Sequence, residues 1–506
     1  MVNRILMMTR KSWFVLLLFA AATSALYYPV LRNGFLTDDY AALYRILVQK
    51  QILHREMLRS WIDISFYFNY LLSGLDPFGY YVFNFGVHVL TCYMVYRVAL
   101  QLRLFTDSRR YAFAWTAGIL FLLYPFHNES VIWLSGRLSS MAAVFGLVAI
   151  YFYFSTRRPW NFVLAALCWI AGLFAYESII LLPLIILLMG APEYYRDRLK
   201  LKRAVAAWFG AGIVYLLIRW TMAGNLFPDY GKGMLVNEKG NGYLIRVVKV
   251  LGRCFLPPME ASRMLMILFV LLVMVVVGGH FLLWRKIRGL GQAKWVYLLL
   301  WGVFFVALAP AVAFGVSTRT SEGDRLLYFP SCFLCLLLSA GLFFFVGKRG
   351  IRLALLVVMG AGSVLYISAN NRRWVFASQT ATGILDTVKK APGRVVLVNA
   401  PDEWEGAYIF RNNFNSSLVI NGIDTSKVIV EHYLMRLEYL GVAGAIQPGS
   451  TDSGWIIYPG TRIVRGGRVD QFQVMGPDMR TRHVYDRRSD ALYYWDKIRL
   501  KRLILE

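Results

Sequence analysis

Two adjacent acidic residues, Asp38 and Asp39, are the first side chains in the sequence that suggest catalysis, because they closely follow a long apolar segment. Transfer of a group to a hydroxyl requires a base that accepts the hydroxyl proton, and one positioned carboxylate is enough for that role. Neighbouring side chains diverge in non-helical backbone, so we expect one carboxylate to act and the other to support it. The alternative is that the pair caps a helix over 40–53, since Asp is favoured at helix N-termini.

A second group of candidates lies in the short segment 124–137, which contains His127, Glu129, Trp133 and Arg137. His and Glu can orient sugar hydroxyls, and the planar guanidinium of Arg can bind a phosphate through two parallel hydrogen bonds. A structural histidine and a tryptophan of the membrane interface are the alternatives. The clustering favours binding of a substrate that carries both sugar and phosphate.

Two later segments also contain charged residues among apolar ones. Arg246 and Lys249 belong, with Arg253, to an i, i+3, i+7 pattern between apolar residues, which predicts an amphipathic helix at a membrane surface. Such a helix could bind a lipid phosphate or rest on headgroups. Asp324 and Arg325 lie at the start of an apolar run, where charges are costly and therefore indicate function, with an ion pair between the two as the alternative.

The elements that must position these residues are membrane helices. The chain is 58% hydrophobic and 17% charged, with a mean hydropathy of +0.50, whereas soluble domains are about a quarter charged. A crossing helix requires about 20 mainly apolar residues. Reading the apolar runs predicts about eleven crossings. They lie near 12–30, 80–101, 112–126, 137–155, 161–175, 178–191, 204–223, 263–284, 295–314, 326–347 and 353–369.

The distribution of charge predicts the orientation of these helices. The formal net charge is +26, but Lys and Arg are spread over short clusters between apolar runs and form no single basic face, which argues against nucleic acid as a partner. Such clusters mark cytoplasmic loops, so the acidic segments are expected on the opposite side. The five cysteines lie in or beside apolar runs, so no disulfide framework is expected.

Arg59 and Glu177 are predicted to lie on the same side of the membrane as Asp38 and Asp39, opposite the cytoplasm. Arg59 follows the acidic pair before the second predicted crossing, and Glu177 lies between two short apolar runs, 161–175 and 178–191. The alternative is one kinked helix over 161–191 that holds Glu177 inside the bilayer. Two short crossings that turn near Glu177 keep every basic cluster on one side, so we prefer them.

Residues 371–506 differ in composition from the membrane module 1–370, because polar and apolar residues are intermixed in them. Short strand-like runs occur at 394–399, 417–421 and 454–458. We expect a small α/β or α+β domain there. An odd number of crossings places this domain outside the cytoplasm.

The motifs, taken in order, resemble the GT-C glycosyltransferases, and most closely the membrane half of the tetratricopeptide-containing O-mannosyltransferase group and its bacterial relatives. The resemblance covers roughly residues 25–345. The matching residues are Asn33, Gly34 and Phe35 before Asp38-Asp39, then Arg59, Ser65-Phe66, Asn69-Tyr70 and Gly74-Leu75-Asp76-Pro77, then Phe126-His127, Glu129, Val131, Trp133 and Ser135-Gly136-Arg137, then Glu177 with Pro183, and finally Asp324-Arg325 with Tyr328 and Pro330.

This resemblance implies an inverting transfer of a monosaccharide from a polyprenyl-phosphate donor to a hydroxyl of a glycan, lipid or protein, with Asp38 as base and Asp39 in support. The residues expected to bind the donor are Arg59, His127, Glu129, Arg137, Glu177, Arg246, Lys249, Asp324 and Arg325. No cofactor is assigned, and a divalent cation is left open because two acids alone do not complete a metal site.

Two other classes of protein stay open. A transporter or flippase of lipid-linked sugars would show ionisable groups near mid-membrane and repeat symmetry, whereas the charges here gather at one face. A non-catalytic scaffold that presents the C-terminal domain is the other. The expected location is a bacterial inner membrane with the site and domain in the periplasm. The alternative location is the endoplasmic reticulum, where Asn128 and Asn415 would be candidate glycan acceptors.

Overall fold

The computed structural model describes most of the chain and forms two compact units. The described residues are 12–55, 57–102, 104–155, 159–191, 195, 197–225, 240–259, 267–268, 270–271, 274, 278, 289, 291, 293–431, 433–434, 446–448, 455–457, 461–465, 471–475, 481–486, 488–496 and 498–503. The helical unit comprises Met1–Leu31 and Ile52–Asn371, and the C-terminal unit comprises Arg32–Gln51 and Arg372–Glu506.

Helices dominate the described chain. Those with defined bounds are α1 (Ser12–Tyr27), α2 (Asp38–Leu47), α3 (Ser60–Ser73), α4 (Pro77–Gln101), α5 (Asp107–Leu122), α6 (Asn128–Val131), α7 (Arg137–Ser155), α8 (Pro159–Leu173), α9 (Leu182–Met189), α10 (Arg198–Ala223), α11 (Gly240–Arg253), α12 (Ala293–Phe314), α13 (Tyr328–Phe345), α14 (Arg349–Lys390) and α15 (Phe414–Ile420). Short 3₁₀ turns cover Tyr28–Arg32, Glu177–Ile179, Asp324–Leu327 and Thr425–Lys427.

Seven helices within the described ranges are long and apolar enough to cross a membrane, as expected for a polytopic membrane protein. Two shorter apolar helices, Trp160–Leu173 and Glu177–Met189, accompany them. The predicted crossing near 112–126 corresponds to α5, and the one near 263–284 lies mainly outside the described residues. The total of about eleven crossings stays a prediction.

The helical backbone is interrupted between α8 and α9 by the 3₁₀ turn Glu177–Ile179. Trp169 Nε1 donates a hydrogen bond of 3.1 Å to the carbonyl oxygen of Ile179. Two residues ten positions apart in one continuous helix would lie about 15 Å apart along its axis, which is beyond the reach of a tryptophan. A single unbroken helix over 161–191 is therefore excluded, and two crossings that turn near Glu177 stay a prediction.

Helix α14 spans 42 residues, or about 63 Å, roughly twice the thickness of a hydrocarbon core. Its first half exposes apolar side chains such as Val358 and Leu365, at 71% and 72%. Its second half buries Trp374, Ala377 and Ala381 at helical spacing within the C-terminal unit. One helix thus carries an exposed apolar half and an amphipathic half.

Two sheets and a hairpin complete the C-terminal unit. Their strands are β1 (Arg394–Pro401), β2 (Glu403–Trp404), β3 (Ala407–Tyr408), β4 (Val428–Val430), β5 (Tyr433–Leu434), β6 (Ile446–Pro448), β7 (Trp455–Ile457), β8 (Thr461–Arg465), β9 (Gln471–Met475), β10 (Thr481–Asp486), β11 (Asp490–Trp495) and β12 (Leu500–Arg502). Strand β1 pairs in parallel with β11, β4 and β5, while β12 is antiparallel to β11. Strands β6 to β10 form an antiparallel meander, and β2 pairs with β3.

The strand-like run 394–399 is confirmed as part of β1, and the described residues of the run 454–458 form β7. The prediction at 417–421 is wrong, because most of this run belongs to α15. Phe414, Ser417 and Leu418 are buried at i, i+3 and i+4, the spacing of one helix face. That face packs against α2, whose Leu43 is fully buried.

Candidate active site

A charged cluster in the helical unit joins three segments that are distant in sequence. Arg59 Nη2 lies 3.3 Å from Glu177 Oε2, and Arg219 Nη1 lies 3.6 Å from Glu177 Oε1. Arg59 directly precedes α3, Glu177 opens the turn between α8 and α9, and Arg219 lies near the end of α10. The Arg59 guanidinium also stacks on the Tyr176 ring at 4.8 Å. Two arginines and one glutamate leave a formal surplus of positive charge.

Arg219 is the most enclosed member of this cluster, with a side chain only 1% exposed. Its Nη2 donates to Asn225 Oδ1 at 3.4 Å. Its Nη1 forms the ion pair with Glu177 Oε1, and Tyr215 also interacts with the Arg219 side chain. A buried cluster with two guanidinium groups and one carboxylate keeps a surplus of positive charge, so this geometry favours an anionic ligand.

An apolar pocket of 310 Å³ lies next to this cluster in the helical unit. Its lining residues are Trp169, Leu173, Ile180, Leu181, Pro183, Leu184, Gly212, Tyr215 and Leu216. Tyr215 lies one helical turn before Arg219 on the same face of α10, and Ile180 follows Glu177 by three residues. Ile180 and Leu184 are 39% and 45% exposed, so the pocket opens at the surface of the unit.

Glu129 and Arg325 form a second ion pair. The backbone N–H of Arg325 donates to Glu129 Oε2 at 2.9 Å, and its guanidinium bonds to Oε1. Glu129 is buried, Arg325 is 26% exposed, and the guanidinium lies 5.5 Å from the Trp133 ring centroid. The contact joins the segment before α7 to the segment before α13. Both Glu129 and Arg325 were predicted site residues.

Asp324 pairs with Arg253, 2.5 Å away, so the predicted alternative of an ion pair between Asp324 and Arg325 is wrong. Adjacent side chains diverge at the start of a 3₁₀ turn, and each meets a different partner. Arg253 Nε also donates to the carbonyl oxygen of Ser317 at 3.0 Å, and the guanidinium lies over Phe126 at 4.8 Å. This pair is fully enclosed.

Helix α11 confirms the predicted amphipathic helix and shows how its basic residues differ. Leu244 is 68% exposed, whereas Arg253 at the end of the helix is buried. Arg246 Nη1 donates to the carbonyl oxygen of Ala313 at 3.2 Å, and Lys249 is partly exposed. Arg253 and Arg219 are the structurally central arginines that were not among the predicted site residues, although Arg253 belonged to the recognised i, i+3, i+7 pattern.

Arg137 is fully enclosed at the start of α7. Nε donates to Leu134 O at 2.9 Å, Nη1 donates to Ser65 Oγ at 3.2 Å and Asn69 Oδ1 at 2.5 Å, and Nη2 donates to Tyr80 O at 3.2 Å. The preceding Gly136 lets the turn before α7 pass close to the Glu129 carbonyl oxygen, from which an added Cβ would lie only 2.0 Å away. These contacts tie the first loop to the second, and a donor contact by Arg137 stays a prediction.

His127 is buried beside Ser331, with Nε2 and Oγ 2.8 Å apart. Burial is the main cause that lowers the pKa of His127 well below its usual value, and the nearby His88 ring adds to it. The lowered pKa favours the neutral imidazole. Asn128 is 1% exposed and its amide donates to Asn371, so a glycan on Asn128 is incompatible with this fold. Asn415 is exposed.

The acidic pair belongs to the C-terminal unit, where it forms the first turn of α2. Asp39 is 1% exposed and accepts a hydrogen bond of 3.0 Å from the Leu36 N–H. Asp38 is partly exposed, and Asn413 Nδ2 donates to its Oδ1 at 2.8 Å. The two carboxylates therefore have different environments, one enclosed within its own turn and one accessible.

Within the described residues, no group of three or more His, Cys, Asp or Glu side chains could hold a metal ion. A role of a divalent cation in the reaction stays a hypothesis.

Together, these features define a multi-helix membrane protein with clustered ion pairs. In sequence the chain is similar to proteins named protein O-mannosyl-transferase: TMTC3 of Mus musculus (28% identity over 163 residues, 28% of this chain and 17% of that protein), tmtc2 of Xenopus laevis (31% over 129 residues, 24% and 14%) and Tmtc1 of Drosophila melanogaster (38% over 95 residues, 19% and 10%). The chain thus matches less than a fifth of the length of each relative. No protein-family model matches the chain. The similarity supports a relationship to glycosyltransferases.

Proposed function

We propose that the chain is an integral membrane glycosyltransferase of the GT-C type, which transfers a monosaccharide from a polyprenyl-phosphate donor to a hydroxyl on the outer face of the membrane. The observation that carries this proposal is the Arg59–Glu177–Arg219 cluster beside an apolar pocket. A ligand with an anionic head and a long hydrocarbon tail matches both features. A polyprenyl-phosphate sugar is such a ligand.

The charge of the cluster fits the chemistry of this donor. A polyprenyl-phosphate sugar is a phosphodiester with one negative charge, and its leaving group gains a second charge as the glycosidic bond breaks. The guanidinium groups of Arg59 and Arg219 would stabilise that developing charge, because charge-assisted hydrogen bonds strengthen as the acceptor becomes more negative. Glu177 holds the two arginines in place.

In the proposed reaction the acceptor oxygen forms a bond to the anomeric carbon while the bond from that carbon to the phosphate oxygen breaks. The electron pair leaves with polyprenyl phosphate, and Asp38 accepts the hydroxyl proton. One displacement on the opposite face inverts the anomeric configuration. Asp39, held by the Leu36 N–H, supports the turn that carries Asp38.

The other predicted residues keep their proposed roles in donor binding. Arg325 has the exposure such a contact requires, because 26% of its side chain is accessible while Glu129 fixes its position. The remaining members are His127, Arg137, Arg246, Lys249 and Asp324. We propose a bacterial inner membrane with the C-terminal unit in the periplasm, and the endoplasmic reticulum is the alternative. The acceptor is a glycan, a lipid or a protein.

The decisive experiment is Asp38→Asn in the full chain reconstituted in lipid nanodiscs, with polyprenyl-phosphate mannose as the probe donor. We expect sugar release and transfer to be lost while the variant still binds the donor. Asp76→Asn is the matched control, because Asp76 caps α4 by accepting from the Phe78 N–H and Asn caps helices equally well. Turnover by Asp38→Asn equal to that of the wild type would exclude Asp38 as the base. Separate runs with EDTA test the divalent cation.

A further inference from the structure

The acidic segment of the first loop is part of the C-terminal unit through several contacts within that unit. Gly34 N donates to Ser378 Oγ at 2.7 Å. Thr37 Oγ1 accepts from the Asn412 N–H at 3.0 Å and donates to the Asn412 carbonyl at 3.3 Å. Thr37 is thereby linked to Asn412, which lies 375 positions later in the sequence.

Thr37 has an unusual backbone at this junction. Its φ is 38° and its ψ is −111°, and a β-branched residue rarely adopts a positive φ. Such strained geometry persists only where surrounding contacts impose it, and it concentrates at functional sites. Here the imposing contacts are the two hydrogen bonds to Asn412, and the residue that immediately follows is Asp38.

Asn413 makes the contact that reaches the carboxylate itself. Its Nδ2 donates to Asp38 Oδ1 at 2.8 Å, and the contact is solvent-exposed. Asn413 has a φ of 63°, a left-handed conformation that Asn tolerates better than most residues. The left-handed backbone conformation and the side-chain amide that bonds to Asp38 both favour Asn at this position.

An exposed hydrogen bond of this kind contributes little to stability. Its main physical effect is to restrict the rotation of the Asp38 carboxylate. Proton transfer depends strongly on the orientation of the accepting oxygen, and a misplacement of about 1 Å can cost roughly 100-fold in rate.

We propose that Asn413 is a positioning residue, through which the C-terminal unit orients the Asp38 carboxylate for proton transfer. The inference rests on the proposed function, since it takes Asp38 as the base. It also assigns a role to the C-terminal unit, which holds the turn that carries Asp38.

The test compares Asn413→Gly with wild type in nanodiscs, with polyprenyl-phosphate mannose as the probe donor. Glycine keeps the left-handed backbone and removes only the side chain. We expect kcat to fall about 10-fold to 100-fold with the KM for the donor unchanged. Asn413→Gln retains a donor group and should recover part of the rate. Asn412→Ala is the matched control, because Asn412 contacts Thr37 through its backbone atoms.

Wild-type kcat in Asn413→Gly would overturn the proposal, and so would a raised KM at unchanged kcat. Hydrogen exchange of α2 and α15 checks that the variant keeps its fold. A second measurement is independent of turnover: carbodiimide labelling of Asp38, followed by mass spectrometry. We expect faster labelling in Asn413→Gly and unchanged labelling in Asn412→Ala.

The two proposals fail in different ways. A wild-type chain that neither binds nor consumes the donor contradicts the proposed function alone, and the labelling rates then decide whether Asn413 orients Asp38. Equal labelling of Asp38 in wild type and Asn413→Gly contradicts the positioning role even if the enzyme is active.

Discussion

Arg219 and Glu177 form a buried ion pair, with Nη1 and Oε1 3.6 Å apart, that joins the end of α10 to the turn between α8 and α9. Arg59 approaches the other oxygen of the same carboxylate from a third segment. One glutamate therefore orders two arginines beside an apolar pocket. This arrangement gives the proposed donor site its charge and its position.

We expect Arg219→Gln to weaken binding of polyprenyl phosphate by about tenfold or more, because hydrogen bonds to charged groups contribute about 1.5–3 kcal/mol. Equilibrium binding of polyprenyl phosphate to the full chain in nanodiscs measures the effect. Arg203→Gln is the control, since Arg203 is an exposed arginine at the other end of the same helix. Equal affinities in wild type and Arg219→Gln would remove Arg219 from the donor site.

Filling the pocket should discriminate between donors by tail length. We expect Gly212→Leu to reduce affinity for a long polyprenyl phosphate and to spare a short-chain analogue, because Gly212 lines the pocket and a Cβ there meets Trp169 at 3.6 Å. Gly210→Leu is the matched control on the same helix, as a Cβ at Gly210 meets no atom within 4 Å. A uniform loss over both tail lengths would contradict a role of the pocket in tail binding.

Arg137→Lys tests whether the enclosed guanidinium supports the fold or the donor. Lys lacks the planar fork, so acceptors such as Asn69 Oδ1 and Tyr80 O would lose their partners. We expect a loss of about 2 kcal/mol or more in unfolding free energy, since each unsatisfied buried group costs about 1–3 kcal/mol. Thermal unfolding in detergent measures this, with Arg203→Lys, at an exposed arginine of α10, as the control. Reduced donor affinity at unchanged stability would instead support direct donor contact.

The C-terminal unit should lose stability in acid through Asp490. Burial raises the pKa of Asp490, but hydrogen bonds from Arg394 and from the Asp486 N–H outweigh this and hold the pKa below its usual value. A depressed pKa in the folded state means that the contribution is present above the unfolded value, about 3.9, and is lost as pH falls through the folded pKa.

Asp490→Asn removes that contribution. We expect faster hydrogen exchange in β1 and β11 of Asp490→Asn than of wild type at pH 7, with the difference shrinking towards pH 3. Asp424→Asn is the control, because Asp424 is solvent-exposed and bonds only locally, to Ser426. A difference that persists undiminished at pH 3 would show that the Asp490 charge is not its source.

Much of the fold follows from local sequence patterns. Long apolar runs predict the membrane helices because lipid offers no hydrogen-bond partners to an irregular backbone. The composition of two strand-like runs predicts β1 and β7. The run 417–421 misled because its apolar and β-branched residues favour a strand, whereas the burial of Phe414 with Ser417 and Leu418 defines a helix face.

The candidate site was only partly predictable. The residues of the first, second and later loops were recognisable by type, yet their pairing was not, because ion pairs depend on distances between segments that sequence does not encode locally. Asp324 and Arg325 illustrate this, as the adjacent charges bind Arg253 and Glu129 and not each other.

The sequence by itself determined a multi-helix membrane chain with a polar C-terminal region, since hydropathy acts over one helix length and is readable in a single segment. Only the tertiary structure decided that Arg219 joins Glu177 and that the turn of Asp38 is bonded to Asn412 and Asn413. Those contacts join residues tens to hundreds of positions apart. They exist because packing brings the segments together, and no local pattern specifies that outcome.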